Sequence, residues 1–180
     1  MAEVKVRTAV SPDFLLLSAF NHTVKTEMIW QMDRIAENGF ETSNFREIRL
    51  PRPIQVDYPY SVDNLLDRSK TMAVVLLACM DEVPVGYIGL STLQAGSTSW
   101  IRDLAVHERW QRRGFASVLL KAAHDWSIER DIHRITLEMS SKNYPAICLA
   151  RKLGFEFGGY NEYYYPNNDI ALFFTRFFRK

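Results

Sequence analysis

Gln111-Arg112-Arg113-Gly114-Phe115-Ala116 lies between an apolar run, Ser99 to Val106, and an amphipathic stretch that begins at Phe115. Its chemistry is that of an anion-binding turn. Gly114 permits a tight bend and close backbone approach. The first N–H groups of a following helix lack intrahelical acceptors, and the helix dipole adds partial positive charge at that end. Arg109, Arg112 and Arg113 reinforce the field. The stretch suits a pyrophosphate. It lacks the Lys and hydroxyl of GxxxxGK[ST] that hold a nucleoside triphosphate with magnesium, and it lacks the dinucleotide pattern GxGxxG.

Downstream, Phe115, Val118, Leu119, Ala122 and Trp126 recur at helical spacing, which predicts a helix with one face on a sheet. Ile132 to Met139 alternates as a strand, and Asn143 to Leu153 reads as a helix stopped by Gly154. Glu156 to Tyr165 and Ala171 to Phe178 are aromatic strands around the turn Pro166-Asn167-Asn168-Asp169, and they are expected to pair antiparallel. Upstream, Met72 to Met80 reads as a buried strand and Val83 to Thr92 as its hairpin partner, with Gly86 and Gly89 leaving one face bare. Ala95-Gly96-Ser97 reads as a loop before the Ser99 to Val106 strand. Near the start, Val4 to Ala9 is a strand, and Ser11 caps a helix over Phe14 to Phe20 with Pro12 in its first turn. A short helix is expected over Ser61 to Asp67. Between residues 28 and 60, Ile29 to Met32 and Phe45 to Leu50 have strand character, but Pro51, Pro53 and Pro59 leave the segment unassigned. The result is one α/β (α+β) domain with a mixed sheet.

Composition narrows the function. Over 180 residues, 22 Lys and Arg against 21 Asp and Glu leave no basic excess for holding nucleic acid by counterion release. The longest apolar run, Met72 to Met80, is about half the ~20 residues of a membrane-spanning helix, and no export signal is evident, so neither nucleic acid nor a membrane is the expected partner. Cys79 and Cys148 form no CxxC pair and no disulfide framework, which fits a cytoplasmic protein, and Cys148 reads as a packing residue. His22, His107, His124 and His133 show no ligand spacing, so no metal site is expected.

The hexapeptide matches [Q/R]-x-x-G-x-[G/A] through Gln111, Gly114 and Ala116, and in this it resembles the acyl-coenzyme A loop of the GCN5-related N-acetyltransferases. The neighbourhood agrees in order and spacing. Ile101-Arg102-Asp103-Leu104-Ala105-Val106 resembles the family's fourth strand, and Leu137-Glu138-Met139, Asn143, Ala146 and Leu153-Gly154-Phe155 follow as in the family. The resemblance covers Met72 to the C-terminus, and the C-terminal half is most similar to streptothricin acetyltransferase-type members. It implies a single mixed, mostly antiparallel sheet flanked by helices. Residues 71–180 would form the acetyl-CoA-binding core and residues 1–70 the acceptor side.

The resemblance also implies site residues. Backbone groups of Leu104, Ala105 and Val106 would hold the pantetheine arm, and Gln111, Arg112, Arg113, Gly114, Phe115 and Ala116 the pyrophosphate, with Asn143 near the thioester. A thioester reacts with a neutral amine without a metal; the enzyme must align the two, polarise the carbonyl through an N–H such as that of Leu104, and move a proton. Asp103 and Glu138 are candidate bases, each with a structural alternative as a paired carboxylate; for Asp103 the partners would be Arg102 or Arg109. The family often carries a Tyr acid seven residues after the Asn, where this chain has Ala150, so Tyr144, Tyr160, Tyr163, Tyr164 or a water must substitute. The expected acceptor is a small-molecule amine, streptothricin-like antibiotics included. A protein N-terminus or Lys is the enzyme alternative, and a non-catalytic acyl-coenzyme A sensor the alternative of another class. The aromatic final strands are core and sheet edge, or a homodimer contact.

Overall fold

The computed structural model describes residues 4–93 and 97–178. Among them, β1 (Val4–Thr8) leads into α1 (Asp13–Ser18), a long hairpin of β2 (Val24–Glu37) and β3 (Phe40–Val56), and a short α2 (Leu65–Ser69). Then come β4 (Val74–Met80), β5 (Val83–Leu93), β6 (Thr98–Val106), α3 (Phe115–Ile128), β7 (Arg134–Ser140), α4 (Tyr144–Lys152), β8 (Glu156–Asn161) and β9 (Ala171–Phe177). Seven strands form one sheet in the order β1-β4-β5-β6-β7-β9-β8, and β2 with β3 forms a separate ribbon. All neighbours in the large sheet are antiparallel except β6 and β7. This is the mixed, mostly antiparallel α/β class that the sequence led us to expect.

At its centre the sheet is buried on both faces, which is why β4 reads as a continuous apolar run rather than an alternating one. Leu76 and Ala78 point to a core completed by Phe115, Leu119, Leu120 and Ala123 of α3 and by Ile147 and Ala150 of α4. Val75, Leu77 and Cys79 point the other way, against Phe14, Leu17 and Phe20 of the α1 region and Leu65 of α2. Parallel neighbours cannot be joined by a tight turn, so the β6–α3–β7 crossover is what sets α3 on its face of the sheet.

Several expectations need correction. Ser11 does not cap α1; Asp13 instead accepts the Val10 N–H at 2.8 Å and pairs with Arg7, and the helix ends at Ser18. The Ser61 to Asp67 helix begins later, at Leu65. Gly86 and Gly89 lie on opposite faces: a Cβ at Gly86 would meet Leu119 of α3, whereas one at Gly89 would meet Met72 and Asp103. The stripe of α3 is rotated from the one read off the sequence. Val118 is exposed, and Ser127 belongs to the buried face because its hydroxyl donates to the Ala123 carbonyl at 2.7 Å and meets the Ser99 hydroxyl. Cys148 is exposed, since Ile147 and Ala150 occupy the inward side of α4. The loop expected at Ala95-Gly96-Ser97 lies, apart from Ser97, outside the described residues.

The unassigned segment is the long hairpin. Its signal is Asn38-Gly39, where φ values of 48° and 83° give the left-handed pair that a two-residue hairpin turn requires. Pro51 and Pro53 are tolerated because the register slips there. Thr26 faces Ile54 and Met28 faces Arg49, so both prolines fall in the unpaired bulge. The hairpin docks through Trp30 and Phe45 against Phe157, Tyr160 and Phe174, with ring centroids 5.5 Å apart for Trp30 and Phe174.

Ala150 is fully buried. Ala150→Tyr is therefore expected to overpack α4 against the sheet at a cost of ~1–3 kcal/mol and to lower the melting temperature by several degrees. An unchanged melting temperature by calorimetry would contradict this packing.

Candidate active site

β6 and β7 pair only from Thr98 opposite Arg134 to Ile101 opposite Leu137. Beyond that point they diverge, and an open cleft lies between them. Ile101, Arg102 and Leu104 line one wall and Leu137 to Ser140 the other, with Asn143, Ala146 and Leu149 of α4 on one side and His22, Val56, Asp57, Tyr58 and Tyr165 on the opposite side. His107 N–H donates to the Val85 carbonyl on β5. Strand alternation then turns the backbone groups of Val106 and Leu104 away from β5 and toward the gap. The N–H groups of both residues and the Leu104 carbonyl are presented where a sheet neighbour would ordinarily be, while the Val106 carbonyl is taken by Gln111.

The anion-binding turn sits at the end of β6. Arg112 and Gly114 are both left-handed, with φ of 63° and 91°, and Gly114 caps α3 without any side-chain hydrogen bond. A Cβ built on Gly114 meets nothing within 4 Å, so the space over the turn is open to a ligand. Gln111 braces the turn by donating from Nε2 to the Val106 carbonyl at 3.1 Å. Arg113 stacks over Trp110, which packs edge-on against Phe115. The loop thus has a free helix N-terminus, a backbone able to take a close ligand and three nearby guanidinium groups.

The two candidate carboxylates lie together on the face covered by α1 and α2. Glu138 is buried on β7 and accepts from Trp100 Nε1 at 2.8 Å, from the Tyr164 hydroxyl at 2.9 Å and from the Tyr60 hydroxyl, with Arg102 Nε 3.6 Å away. Asp103 is fully buried on β6, where the Tyr58 hydroxyl and Arg68 both donate to Oδ1 while Oδ2 has no hydrogen-bond partner among the described residues. Its cation is thus Arg68 of α2, not Arg102 or Arg109. Arg68 stacks over Tyr60, with 4.7 Å from its guanidinium carbon to the ring centroid, and this links the two carboxylates through one aromatic strap, Tyr58-Pro59-Tyr60. Burial and the neighbouring carboxylates raise the pKa of Tyr58, Tyr60 and Tyr164, so all three remain protonated donors.

Tyr144 lies outside this group. Its hydroxyl donates to Glu47 on β3 at 3.1 Å, and its pKa is pushed up to about 12 by Cys148, burial and Glu47. Tyr160 bonds Ser43, and Tyr163 is exposed. Asn143 caps α4 by accepting the Ala146 N–H at 3.2 Å while lining the cleft. Of the aromatic end of the chain, Tyr165 and Phe174 are core, whereas Phe177 is exposed. The sequence reading missed Tyr58, Tyr60 and Arg68 entirely, and the available signal was an aromatic pair around Pro59 shortly before a short helix that carries an arginine.

A model of the acetyltransferase (GNAT) family matches residues 38–155. Among individual proteins, the chain is 28% identical to the streptothricin acetyltransferase of Escherichia coli over 89% of this chain and 88% of that one. It is 31% identical to an N-alpha-acetyltransferase of Saccharolobus solfataricus over 71% and 81%. Its fold superimposes on a nourseothricin acetyltransferase with a TM-score of 0.83 at 19% identity, covering 98% and 99% of the two chains. Among the described residues no helix is long and apolar enough to cross a membrane.

His22 lines the cleft, with Nδ1 bonded to the Phe20 carbonyl at 2.8 Å and Nε2 to the Tyr87 hydroxyl at 2.9 Å. Burial lowers its pKa, so the folded state binds its proton less readily than the unfolded chain. The stability this confers is present above the unfolded value of ~6.5 and is lost as pH falls from there toward the lowered folded value. Thermal melts from pH 7.5 to 5 are expected to show a decline that His22→Gln reduces, and an identical decline in both proteins would contradict the assignment.

Proposed function

Because the chain belongs to the acetyltransferase (GNAT) family, we propose that it transfers acetyl from acetyl-coenzyme A to the primary amine of a small molecule. The observation that carries this reading is the pairing of an opened β6–β7 gap with an unobstructed anion turn at its end. Such an arrangement fits a long, flexible thioester arm ending in a pyrophosphate. In this reading the N–H groups of Gly114, Phe115 and Ala116 hold the pyrophosphate, with Arg112 and Arg113 supplying charge. The backbone of Leu104, Ala105 and Val106 aligns the arm as an added strand would, and Gln111 keeps the turn in place. Bound acetyl-coenzyme A supplies the activated acyl group; the protein's contribution is orientation, which is worth up to ~7–11 kcal/mol of the barrier, and proton handling.

We assign residues 71–180 to the donor side and residues 1–70, which contribute Tyr58, Tyr60 and Arg68, to the acceptor side. Glu138 takes the amine proton as the C–N bond forms, and the N–H of Leu104 supports the carbonyl oxygen. Tyr164, kept protonated by burial and held on Glu138, is the donor to the departing sulfur as the C–S bond breaks. Asp103 acts through Tyr58 and Arg68 and fixes the strap. Tyr144, bonded to the hairpin, has no part in this scheme.

The likeness to the streptothricin acetyltransferase over most of both chains favours a small-molecule acceptor, streptothricin-like antibiotics among them. The N-alpha-acetyltransferase relative favours a peptide N-terminus as the second reading. Thiol release in the presence of acetyl-coenzyme A and matched panels of small amines and peptides decides between them. Binding without release from either panel would make the chain a binding module instead.

Gly114→Asp places a side chain and a negative charge where the pyrophosphate is held, so calorimetry is expected to show at least tenfold weaker acetyl-coenzyme A binding by a folded variant (~1.4 kcal/mol). Unchanged affinity would remove the loop from the donor site. Glu138→Gln is expected to lower kcat by ~10²-fold or more with little change in the KM for acetyl-coenzyme A. Wild-type turnover would eliminate Glu138 as the base.

A further inference from the structure

Among the described residues, four side chains other than phenols line the cleft and can bear charge: His22, Asp57, Arg102 and Glu138. Three are accounted for. His22 is kept neutral by burial, and Arg102 faces Glu138 at 3.6 Å while its guanidinium donates to the Tyr60 hydroxyl at 3.0 Å. Asp57, at the end of β3, is exposed and makes no hydrogen bond or ion pair with any described residue, although it lines the same cleft. Once the Arg102–Glu138 pair cancels, the cleft has one uncompensated negative charge, at its acceptor side.

We infer that Asp57 reads a second positive charge on the acceptor, so that the preferred substrates are dibasic amines. This rests on the acetyl-transfer reading and adds a substrate class to it. One amine of such a molecule reaches Glu138 as the nucleophile, and the other stays protonated and pairs with Asp57. Asp57 and Glu138 line the same cleft, and Tyr60, which donates to Glu138, lies three residues after Asp57, so the Asp57 and Tyr60 Cα positions are at most about 11 Å apart. A diamine with several methylene groups between its nitrogens is the class that can address both carboxylates. The rings of Tyr58 and Tyr165, which also line the cleft, favour a cationic over an anionic occupant. A zwitterionic amino acid is disfavoured, because its carboxylate would enter a field already negative and Arg102, the one lining guanidinium or ammonium among the described residues, is engaged.

The test compares 1,4-diaminobutane and 1,5-diaminopentane with butylamine and pentylamine, using thiol release from acetyl-coenzyme A by the full-length protein at one pH. The wild type is expected to favour the diamines by about tenfold in kcat/KM, beyond the statistical factor for two equivalent amines. Asp57→Asn should reduce that preference toward the statistical factor, chiefly through KM, and Asp57→Glu should retain it. Because Asp57 is exposed, these variants are expected to fold, and their melting temperatures check that. Equal use of diamines and monoamines by the wild type, or a preference that survives in Asp57→Asn, would overturn this inference alone. Failure to release thiol with any amine would overturn the transfer reading and this inference with it.

Discussion

One break in hydrogen bonding governs the arrangement of this molecule: the parallel pairing of β6 with β7 ends at Ile101 and Leu137. Had the two strands stayed in register, the backbone of Leu104 and Val106 would be consumed by the sheet and the cleft would not exist. The break is supported from both sides. α3 and α4 pack on one face, each attached to one of the diverging strands, and the aromatic strap carrying Tyr58 and Tyr60 spans the gap on the other. Unpaired backbone groups are costly in a sealed core but not in an open cleft, where water or a ligand can satisfy them.

The strap also answers the cost of burying two carboxylates on adjacent strands. A carboxylate buried without hydrogen-bond or charge partners carries a large desolvation cost. Arg68 and Tyr58 serve Asp103, and Tyr60, Tyr164 and Trp100 serve Glu138, while the Arg68 guanidinium stacks on Tyr60 and couples the two sets. The face carrying the two carboxylates is therefore organised by polar contacts brought from residues 58–68, whereas the open end of the cleft is organised by backbone geometry on β6 and at Gly114.

That division explains what could be read in advance. The turn around Gly114, the crossover through α3 and the strands β4 to β9 are specified by local periodicity and turn chemistry, and they were legible within small errors of boundary and helix rotation. The rotation of α3 escaped because Ser127 is buried with a hydroxyl partner on β6, which no hydrophobic pattern reveals. The hairpin escaped because Pro51 and Pro53 argue against a strand unless the register slips, and the slip is a property of the partner strand. Tyr58, Tyr60 and Arg68 escaped for a related reason. Their contacts to the two carboxylates lie 35 or more residues away in sequence, as the Tyr58 contact to Asp103 illustrates with a separation of 45 residues.

The central claim is that the diverging edge of β6 and the start of α3 together form the donor site. Backbone amide hydrogen exchange with and without saturating acetyl-coenzyme A tests it most directly, because it reads the N–H groups themselves and not turnover. The account predicts slowed exchange concentrated at Leu104, Val106, Phe115 and Ala116, with little change in the β2–β3 hairpin. Stoichiometric binding that leaves those four amides exchanging at their ligand-free rates would contradict it.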